Sequence, residues 1–383
     1  MLRSLRNLIV NIIAAFIRDR DARHKFRNKY KRKSKFRKLR DDNRILFNHN
    51  KFLRTEIQNI KKDLAYFKTK DYYRYTPGVV KMCREFLSQV NSAEIPAKFS
   101  KLIKGLDSDS ITCASQLVSR IKLVSKRESD ADGLLDIFTH DEKIQIDKLR
   151  KEFSQQIIEL SNGCFAYRQY TLPIRHFEAT VFYYKHQIET LNNIKKLNSK
   201  DFIDAGGFIG DSALVLSEYT QGNVYTFEAV TENYENMLKT IDLNNRENII
   251  PIKMALGSED SIMKMKVQDS CSTLSKHAPI HKQGATYEDV KITSLDNFIK
   301  DKNLDIGLIK VDIEGFEQEF LKGAKHTIMK YKPVMLLSIY HNASDFFDIK
   351  PIIESWDLGY KFKIARPVNG GLWFETLLIC EQD

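Results

Sequence analysis

From residue 200 onward, apolar runs typical of β-strands alternate with stretches of helical periodicity. The strand-like runs are "DFIDAG", "NVYTFEA", "NIIPIKMAL", "IGLIKVDI" and "PVMLLSIYH". The helical stretches lie near 211–220, 231–243, 317–330 and 345–357. Because alternating strands and helices fold into a parallel sheet covered on both faces, this pattern predicts a doubly wound α/β domain. Ligands of such sheets bind at the carboxyl ends of the strands, where we expect the chemistry.

Residues 71–165 follow a different pattern. The segments "VVKMCREFLSQV", "ITCASQLVSRIKLVSK" and "DEKIQIDKLRKEFSQQIIEL" each place apolar side chains three or four positions apart. No catalytic constellation lies among them. We therefore predict a helical accessory domain over 71–165 and a separate α/β domain over 166–383.

A heptad pattern precedes the accessory region, within residues 46–70. Its apolar positions step by four and three residues: Leu53, Ile57, Ile60, Leu64 and Phe67. Fewer than four clean heptads are a weak coiled-coil signal. Two interpretations stay open, a helix that packs on its own chain and a homodimer seam formed by residues 46–67.

The first 45 residues combine basic charge with an apolar stripe. They hold 16 of the 61 Lys and Arg residues and only 4 of the 50 acidic residues, so they carry the positive net charge of the chain. On a helix, one face would present Leu2, Leu5, Leu8, Ile9, Ile12, Ile13, Phe16 and Ile17. The stripe is too short to span a bilayer. Residues 1–45 are therefore predicted to bind an anionic membrane surface, and a solvated arm or a nucleic-acid-binding arm are the alternatives.

The cysteines bear on the compartment. They are five in number and scattered, at Cys83, Cys113, Cys164, Cys271 and Cys380. This pattern is typical of reduced thiols rather than of a disulfide framework or a zinc site. Together with residues 1–45, it predicts a cytoplasmic protein attached peripherally to the inner face of the membrane.

The segment "FIDAGGFIGDSA" places an acid and several glycines where the first strand of the α/β domain ends. Glycines there allow positive φ angles and let the backbone approach a ligand closely. The spacing is not the dinucleotide fingerprint G-x-G-x-x-G, and an acid before the glycines suits a cationic sulfonium and ammonium better than a pyrophosphate. The second strand ends on Glu228, 24 residues after Asp204. A carboxylate at that position can accept hydrogen bonds from ribose hydroxyls.

Residues from about 176 to 380 resemble the FkbM family of S-adenosylmethionine-dependent methyltransferases. The resemblance is carried by "FIDAGGFIGDSALVLSE", "VYTFEAVTENYENMLKTIDLNN", "IGLIKVDIEGFEQEFLKGAKHTI" and "PVMLLSIYHN". It implies a Rossmann-like class I methyltransferase with a seven-stranded sheet in the order 3-2-1-4-5-7-6, preceded by the helical N-terminal region. The antiparallel seventh strand would come from "LWFETLLIC". The chain departs from the family pattern at Phe208, where an Asn is usual, and at Ser338, where an acid often stands.

The resemblance also implies roles for individual residues. The S-adenosylmethionine-binding residues would be Asp204, Gly206, Gly207, Gly210, Glu228 and Ala255, and the acceptor side would include Ser272, Thr273, Tyr340 and Arg175. Catalysis would fall to His341 or Asp312 as the base, with Glu314 and Lys310 orienting the reactants. The structural alternatives are an Asp312–Lys310 ion pair, a helix cap for Glu314 and an ordinary strand-end histidine. A carboxylate pair with a histidine could hold a divalent metal, but nothing else in the sequence supports one, so no metal is predicted.

The expected activity is O-methylation of a hydroxyl on a glycan or glycan precursor. The segment "LPIRHFEATVFYYKHQIETL", residues 172–191, is dense in polar and aromatic side chains and is either part of an acceptor lid or the surface of a linking helix. Two other classes stay open: a nucleic-acid methyltransferase and a non-catalytic scaffold of a membrane biosynthetic complex. The motif N/D-P-P-Y/F of amino-methylating enzymes is absent after the fourth strand, which makes a nucleic-acid partner the weaker alternative.

Overall fold

The computed structural model of the chain describes residues 77–126, 137–267, 273–274 and 286–382. The predicted segments 1–45 and 46–70 lie outside these residues, as does Ser272. Within the described ranges, none of the helices combines the length and the apolarity that crossing a bilayer requires.

Four helices open the described part of the chain: α1 (Pro77–Ser88), α2 (Ile95–Ile103), α3 (Ser108–Ser125) and α4 (His140–Glu152). Helix α3 begins after Asp107, whose carboxylate accepts a hydrogen bond from the Ser110 backbone. Helix α4 begins in a capping box, in which Thr139 and Glu142 each bond to the backbone of the other. A small antiparallel sheet follows, made of β1 (Ile158–Glu159), β2 (Phe165–Tyr167) and β3 (Tyr170–Leu172).

A seven-stranded sheet forms the centre of the α/β region. Its strands are β4 (Asp201–Ala205), β5 (Val224–Phe227), β6 (Ile249–Ile252), β11 (Ile306–Val311), β12 (Val334–Ser338), β13 (Lys361–Ala365) and β14 (Leu377–Glu381). The spatial order is β6-β5-β4-β11-β12-β14-β13, in which β14 runs antiparallel to both of its neighbours. This is the predicted order 3-2-1-4-5-7-6, so the predicted fold class is confirmed. The last strand starts only at Leu377, because residues 372–376 form a loop instead.

Short helices cover the sheet: α5 (Ala179–Phe182), α6 (Asp211–Leu216), α7 (Thr231–Leu243), α8 (Leu295–Ile299), α9 (Glu317–Gly323), α10 (Lys325–Tyr331) and α11 (Ala343–Glu354). Helix α7 has the predicted bounds. The helix predicted over 317–330 is divided into α9 and α10, because Ala324 leaves helical geometry. The helix predicted over 211–220 ends at Leu216 and tightens into a 3₁₀ turn.

A second, four-stranded sheet is inserted after β6. It contains β7 (Ala255–Leu256), β8 (Ser261–Val267), β9 (Thr273–Leu274) and β10 (Thr286–Thr293), in the order β7-β10-β8-β9. The run "NIIPIKMAL" is therefore two strands in two sheets rather than one. The chain bends between them, where the Met254 amide donates to the Ile252 carbonyl at 2.9 Å in a three-residue turn.

Helices α1 to α4 share the hydrophobic core of the large sheet. Phe86, Leu102 and Leu117 belong to the same buried cluster as Ile309 of β11 and Ile364 of β13. Residues 73–383 form one compact unit. The domain boundaries inferred from the sequence at residues 70 and 165 stay predictions.

Candidate active site

A cavity of about 570 Å³ opens at the carboxyl ends of β4, β5, β11 and β12. This is the edge of the sheet at which a doubly wound fold binds its ligands. Its lining also includes residues of α1 with Gln89, of the segment 176–186, of the second sheet and of the loop 373–375.

Backbone packing explains the glycines of the first turn. Gly206 has a φ of +82°, and a Cβ added to it would lie 1.8 Å from the Asp312 carbonyl oxygen. A Cβ on Gly207 would lie 2.0 Å from Thr226 Oγ1. Only glycine therefore lets this turn lie against the ends of β5 and β11. Gly206 lines the cavity, whereas Gly207 and Gly210 are not among its lining residues, and their predicted contact with the cofactor stays a prediction.

Asp204 is part of the support of this turn. Strand register places it directly beside Lys310 of β11 and Thr226 of β5. Lys310 Nζ lies 3.1 Å from Asp204 Oδ1 and donates to the Gly206 carbonyl at 2.8 Å, while Thr226 donates to Asp204 Oδ2 at 2.9 Å. The Asp204 side chain is 0% exposed and is not among the residues that line the cavity. Its predicted contact with the cofactor stays a prediction, and the described contacts give it a positioning role.

The buried lysine has a different partner from the one that the sequence suggested. Burial opposes the charge of Lys310, but Asp204 and then Asp312 raise its pKa above the ordinary value. The structural pair is therefore Asp204–Lys310, because these two residues share a register position on neighbouring strands. Asp312 is left free to face the cavity.

Glu228 follows β5 and lines the cavity, as predicted. Its Oε1 accepts a hydrogen bond from the Val230 amide at 2.8 Å. The Glu228 carboxylate is poorly solvated, and this burial raises its pKa to about 7. Ala255, at the start of β7, lines the same cavity.

Three side chains from the ends of β11 and β12 converge on the cavity. His341 Nε2 lies 3.4 Å from Asp312 Oδ1 and 3.6 Å from Glu314 Oε2. Glu314 has a φ of 54° and is followed by Gly315 at 94°. Left-handed backbone at a non-glycine residue is costly and occurs often at functional sites. Glu314 is not the helix cap that the sequence allowed, because its carboxylate faces His341.

Glu317 orients the histidine. Its Oε1 lies 2.9 Å from His341 Nδ1 and also accepts a hydrogen bond from the Ile313 amide at 3.0 Å. Glu317 is buried and stands at the start of α9. Glu317 therefore places a buried carboxylate beside His341 from the start of α9.

The protonation states of this group follow from its charges. Burial lowers the pKa of His341, but Glu317, Asp312 and Glu314 outweigh it and raise the pKa to about 10. Burial raises the pKa of Glu314 to about 7 and also raises that of Asp312. The carboxylates around His341 therefore favour its protonated form when no other cation lies between them.

Aromatic and acidic side chains line the rest of the cavity. Tyr340 Oη lies 3.1 Å from Glu375 Oε1 and 3.3 Å from Asp312 Oδ1, within reach of donating to either. Trp373 and Phe374 stack with ring centroids 4.8 Å apart. Burial and the nearby charge of Asp312 raise the pKa of Glu375 to about 8.

The sequence singled out the segment 172–191 as a candidate part of the site but gave no indication of α1. From the segment 172–191, His176, Glu178 and His186 reach the cavity, and α1 contributes Met82, Glu85 and Phe86, with Gln89 just after it. The polar density of 172–191 was the signal for the first group. No sequence signal other than an amphipathic pattern pointed to α1, because its contribution depends on how this helix packs on a sheet that is distant in the sequence.

Of the predicted acceptor residues, Arg175 is not among those that line the cavity. Arg175 is exposed, because the chain turns the next side chain inward, where His176 packs against Phe208 at a centroid distance of 4.8 Å. Thr273 lies in β9, of which only the backbone is described. Tyr340 is the acceptor-side candidate that lines the cavity.

The comparison with protein families decides the identity of this region. Residues 204–362 match the family model described as the methyltransferase FkbM domain. The chain carries an FkbM methyltransferase domain. The resemblance inferred from the sequence motifs is thereby confirmed, as is an S-adenosylmethionine-dependent methyltransferase activity.

Proteins to which this chain is similar include one curated protein and several solved structures. "Methyltransferase 1" of Beauveria bassiana is 23% identical over 219 residues, which are 52% of this chain and 87% of that protein. The crystal structure of methyltransferase FkbM from Methylobacillus flagellatus is 18% identical with a TM-score of 0.45. The match covers 76% of this chain and 59% of that one. The N-terminal domain of human METTL16 in complex with SAH is 12% identical with a TM-score of 0.36, over 63% of this chain and 94% of that one.

The lining of the cavity fits S-adenosylmethionine, the cofactor of this FkbM domain. The cofactor carries a sulfonium and an ammonium, and the cavity presents the acids Asp211, Glu228 and Asp312. Gly206 brings bare backbone to the surface of the cavity, which leaves room for a ligand at the end of the first strand. Glu228 would hold the ribose hydroxyls, as its place at the end of the second strand predicts.

Proposed function

We propose that this FkbM domain methylates a hydroxyl group of a glycan or glycan precursor. The observation that carries the proposal is the group formed by Asp312, Glu314 and His341, which lies in the same cavity as Glu228. Methyl transfer to a hydroxyl requires an aligned acceptor and a group that takes its proton.

The chain's own residues divide this work. When bound, S-adenosylmethionine supplies an activated methyl group. Either Asp312 or Glu314 accepts the proton of the acceptor hydroxyl. Both carboxylates have raised pKa values, and a general base works best when its pKa lies near the pH of the reaction. His341, held by Glu317, lies between these two carboxylates and the start of α9. Lys310, paired with Asp204, holds the glycine turn in place through the Gly206 carbonyl.

The character of the cavity supports a neutral acceptor with an apolar face, such as a sugar ring. The rings of Tyr340, Trp373 and Phe374 provide flat apolar surface beside polar groups, a combination common in small-molecule sites. The acids of the lining are unfavourable for the phosphates of a nucleic acid, whose binding depends on basic side chains. A scaffold without activity would not need a strained Glu314 beside a buried histidine.

Cell-surface glycans provide the test of this proposal. Cells that lack the gene and carry either the wild-type chain or Asp312→Asn are compared by mass spectrometry of their extracted glycans. We expect the wild-type glycans to be heavier by one methylene group per modified sugar, and the variant to lower the modification by about 100-fold or more. Identical glycans in the two strains would contradict the proposed acceptor class.

We further propose that residues 1–45 attach the chain to an anionic membrane surface. The full chain should sediment with vesicles that contain phosphatidylserine. Ile9→Asp with Ile12→Asp on the apolar stripe should abolish sedimentation. The matched control, Asn7→Asp with Asn11→Asp, adds the same charge on the opposite face and should keep most of the binding. Equal loss in both variants would indicate that charge alone drives the attachment.

A further inference from the structure

Two distances from His341 to carboxylates at the ends of β11 and β12 fit a metal ligand set. Ligand atoms about 2.0–2.2 Å from one ion lie about 2.8–3.6 Å from each other at octahedral or tetrahedral angles. His341 Nε2 stands 3.4 Å from Asp312 Oδ1 and 3.6 Å from Glu314 Oε2. We propose that Asp312, Glu314 and His341 bind a divalent first-row transition-metal ion.

An unsatisfied buried atom points to a ligand independently of the spacing. His341 Nε2 is buried and makes no hydrogen bond to any residue that the structure describes. The His341 side chain is only 9% exposed. Leaving a buried polar atom without a hydrogen bond is costly, so such an atom in an active-site cavity calls for a partner.

Glu317 provides the support that a metal-binding histidine requires. A histidine ligand usually passes its other ring N–H to a carboxylate, which fixes the ring and makes the free nitrogen a better ligand. His341 Nδ1 is 2.9 Å from Glu317 Oε1, and Glu317 is itself held by the Ile313 amide at 3.0 Å. Glu317 is therefore a positioning residue, and the lone pair of Nε2 is directed at Asp312 and Glu314.

The ligand types indicate the class of ion. One imidazole nitrogen with two carboxylate oxygens suits Mn²⁺, Fe²⁺, Co²⁺ or Zn²⁺. Ca²⁺, by contrast, prefers a site made of oxygen ligands alone. Two half-buried carboxylates near one histidine also favour a divalent charge among them. In the proposed function, this charge would lie beside the acceptor hydroxyl and favour the loss of its proton. Binding of the ion itself does not depend on the identity of the acceptor.

Mn²⁺ is the probe for this site, because its electron paramagnetic resonance signal broadens on binding. The full chain, stripped with a chelator and dialysed, should bind one Mn²⁺ per chain. Pulsed measurements should detect the coupling of one imidazole nitrogen to the ion. His341→Asn should weaken binding by more than about 100-fold and remove this coupling, and Glu317→Gln should weaken it by about 10–100-fold.

Glu375→Gln is the matched control. It removes one carboxylate from the same cavity, but the described contact of Glu375 is with Tyr340, so Mn²⁺ affinity should change only a few-fold. Calorimetry with SAH verifies that each variant keeps its fold. The inference would be overturned if the wild-type chain did not bind Mn²⁺ stoichiometrically, or if His341→Asn bound it equally well. Nε2 would then carry a proton instead. A chain that binds Mn²⁺ but methylates no glycan would overturn the proposed function alone.

Discussion

Replacing Gly206 with alanine should reduce methyl transfer by about 100-fold or more, because misplacement of catalytic groups by roughly 1 Å has an effect of this size. The new Cβ would lie 1.8 Å from the Asp312 carbonyl oxygen, so the turn and the end of β11 must move apart. The positive φ of Gly206 adds about 1–2 kcal/mol of strain for any other residue. Both effects act where the glycine turn meets Asp312, one of the proposed proton acceptors.

Gly163→Ala separates the clash from the backbone strain. Gly163 has the same φ of +82°, and nothing lies within 4 Å of its added Cβ. This control should lose a similar small amount of stability from strain and retain SAH binding and transfer activity. Calorimetric titration with SAH, together with thermal unfolding of both variants, provides the measurement. Equal SAH affinity in Gly206→Ala and the wild type would contradict the close packing described for the turn.

Replacing Glu142 with glutamine should lower the free energy of unfolding by about 3–5 kcal/mol, the usual cost of removing one partner from a buried ion pair. Arg120 bonds to both carboxylate oxygens of Glu142, at 2.9 and 2.7 Å, and Arg366 bonds to Oε1 from the other side. The two arginine side chains are 7% and 4% exposed. The substitution would leave two guanidinium groups buried with no compensating charge between α3, α4 and the end of β13.

Asp147→Asn, in the same helix α4, is the control for this substitution. Asp147 is 64% exposed and lies 3.7 Å from Arg150, so the loss of its charge should change stability by no more than about 1 kcal/mol. Urea unfolding of both variants measures the difference. If Glu142→Gln is no less stable than Asp147→Asn, the network does not hold the N-terminal helices on the sheet.

The sequence predicts the sheet and the strand-end acids well, because both depend on local patterns. Glu228, Asp312 and His341 each follow an apolar strand of a parallel sheet, and such strands end at one edge. Asp204 follows the same rule, but its carboxylate is buried against Lys310 and Thr226. Its position depends on the register that places it beside Lys310, and no local pattern encodes that register.

The lining residues from α1 and from the loop before β14 could not be predicted from the sequence, for a related reason. Phe86 lies about a hundred residues before the sheet, and Glu375 lies in a loop that the sequence assigned to a strand. Their places depend on how α1 packs on the sheet and on where β14 begins. The role of Glu317 was equally hidden, because it requires α9 to start close to His341.

Transfer of a labelled methyl group tests the central claim most directly. Glycans extracted from cells that lack the gene are incubated with labelled S-adenosylmethionine and the purified full chain, and the label is then located by hydrolysis. The account predicts label on a sugar oxygen with the wild-type chain and about 100-fold less or lower with Asp312→Asn. Equal labelling of the glycans by both proteins would contradict the proposed activity. Label that appears only on added nucleic acid would contradict it as well.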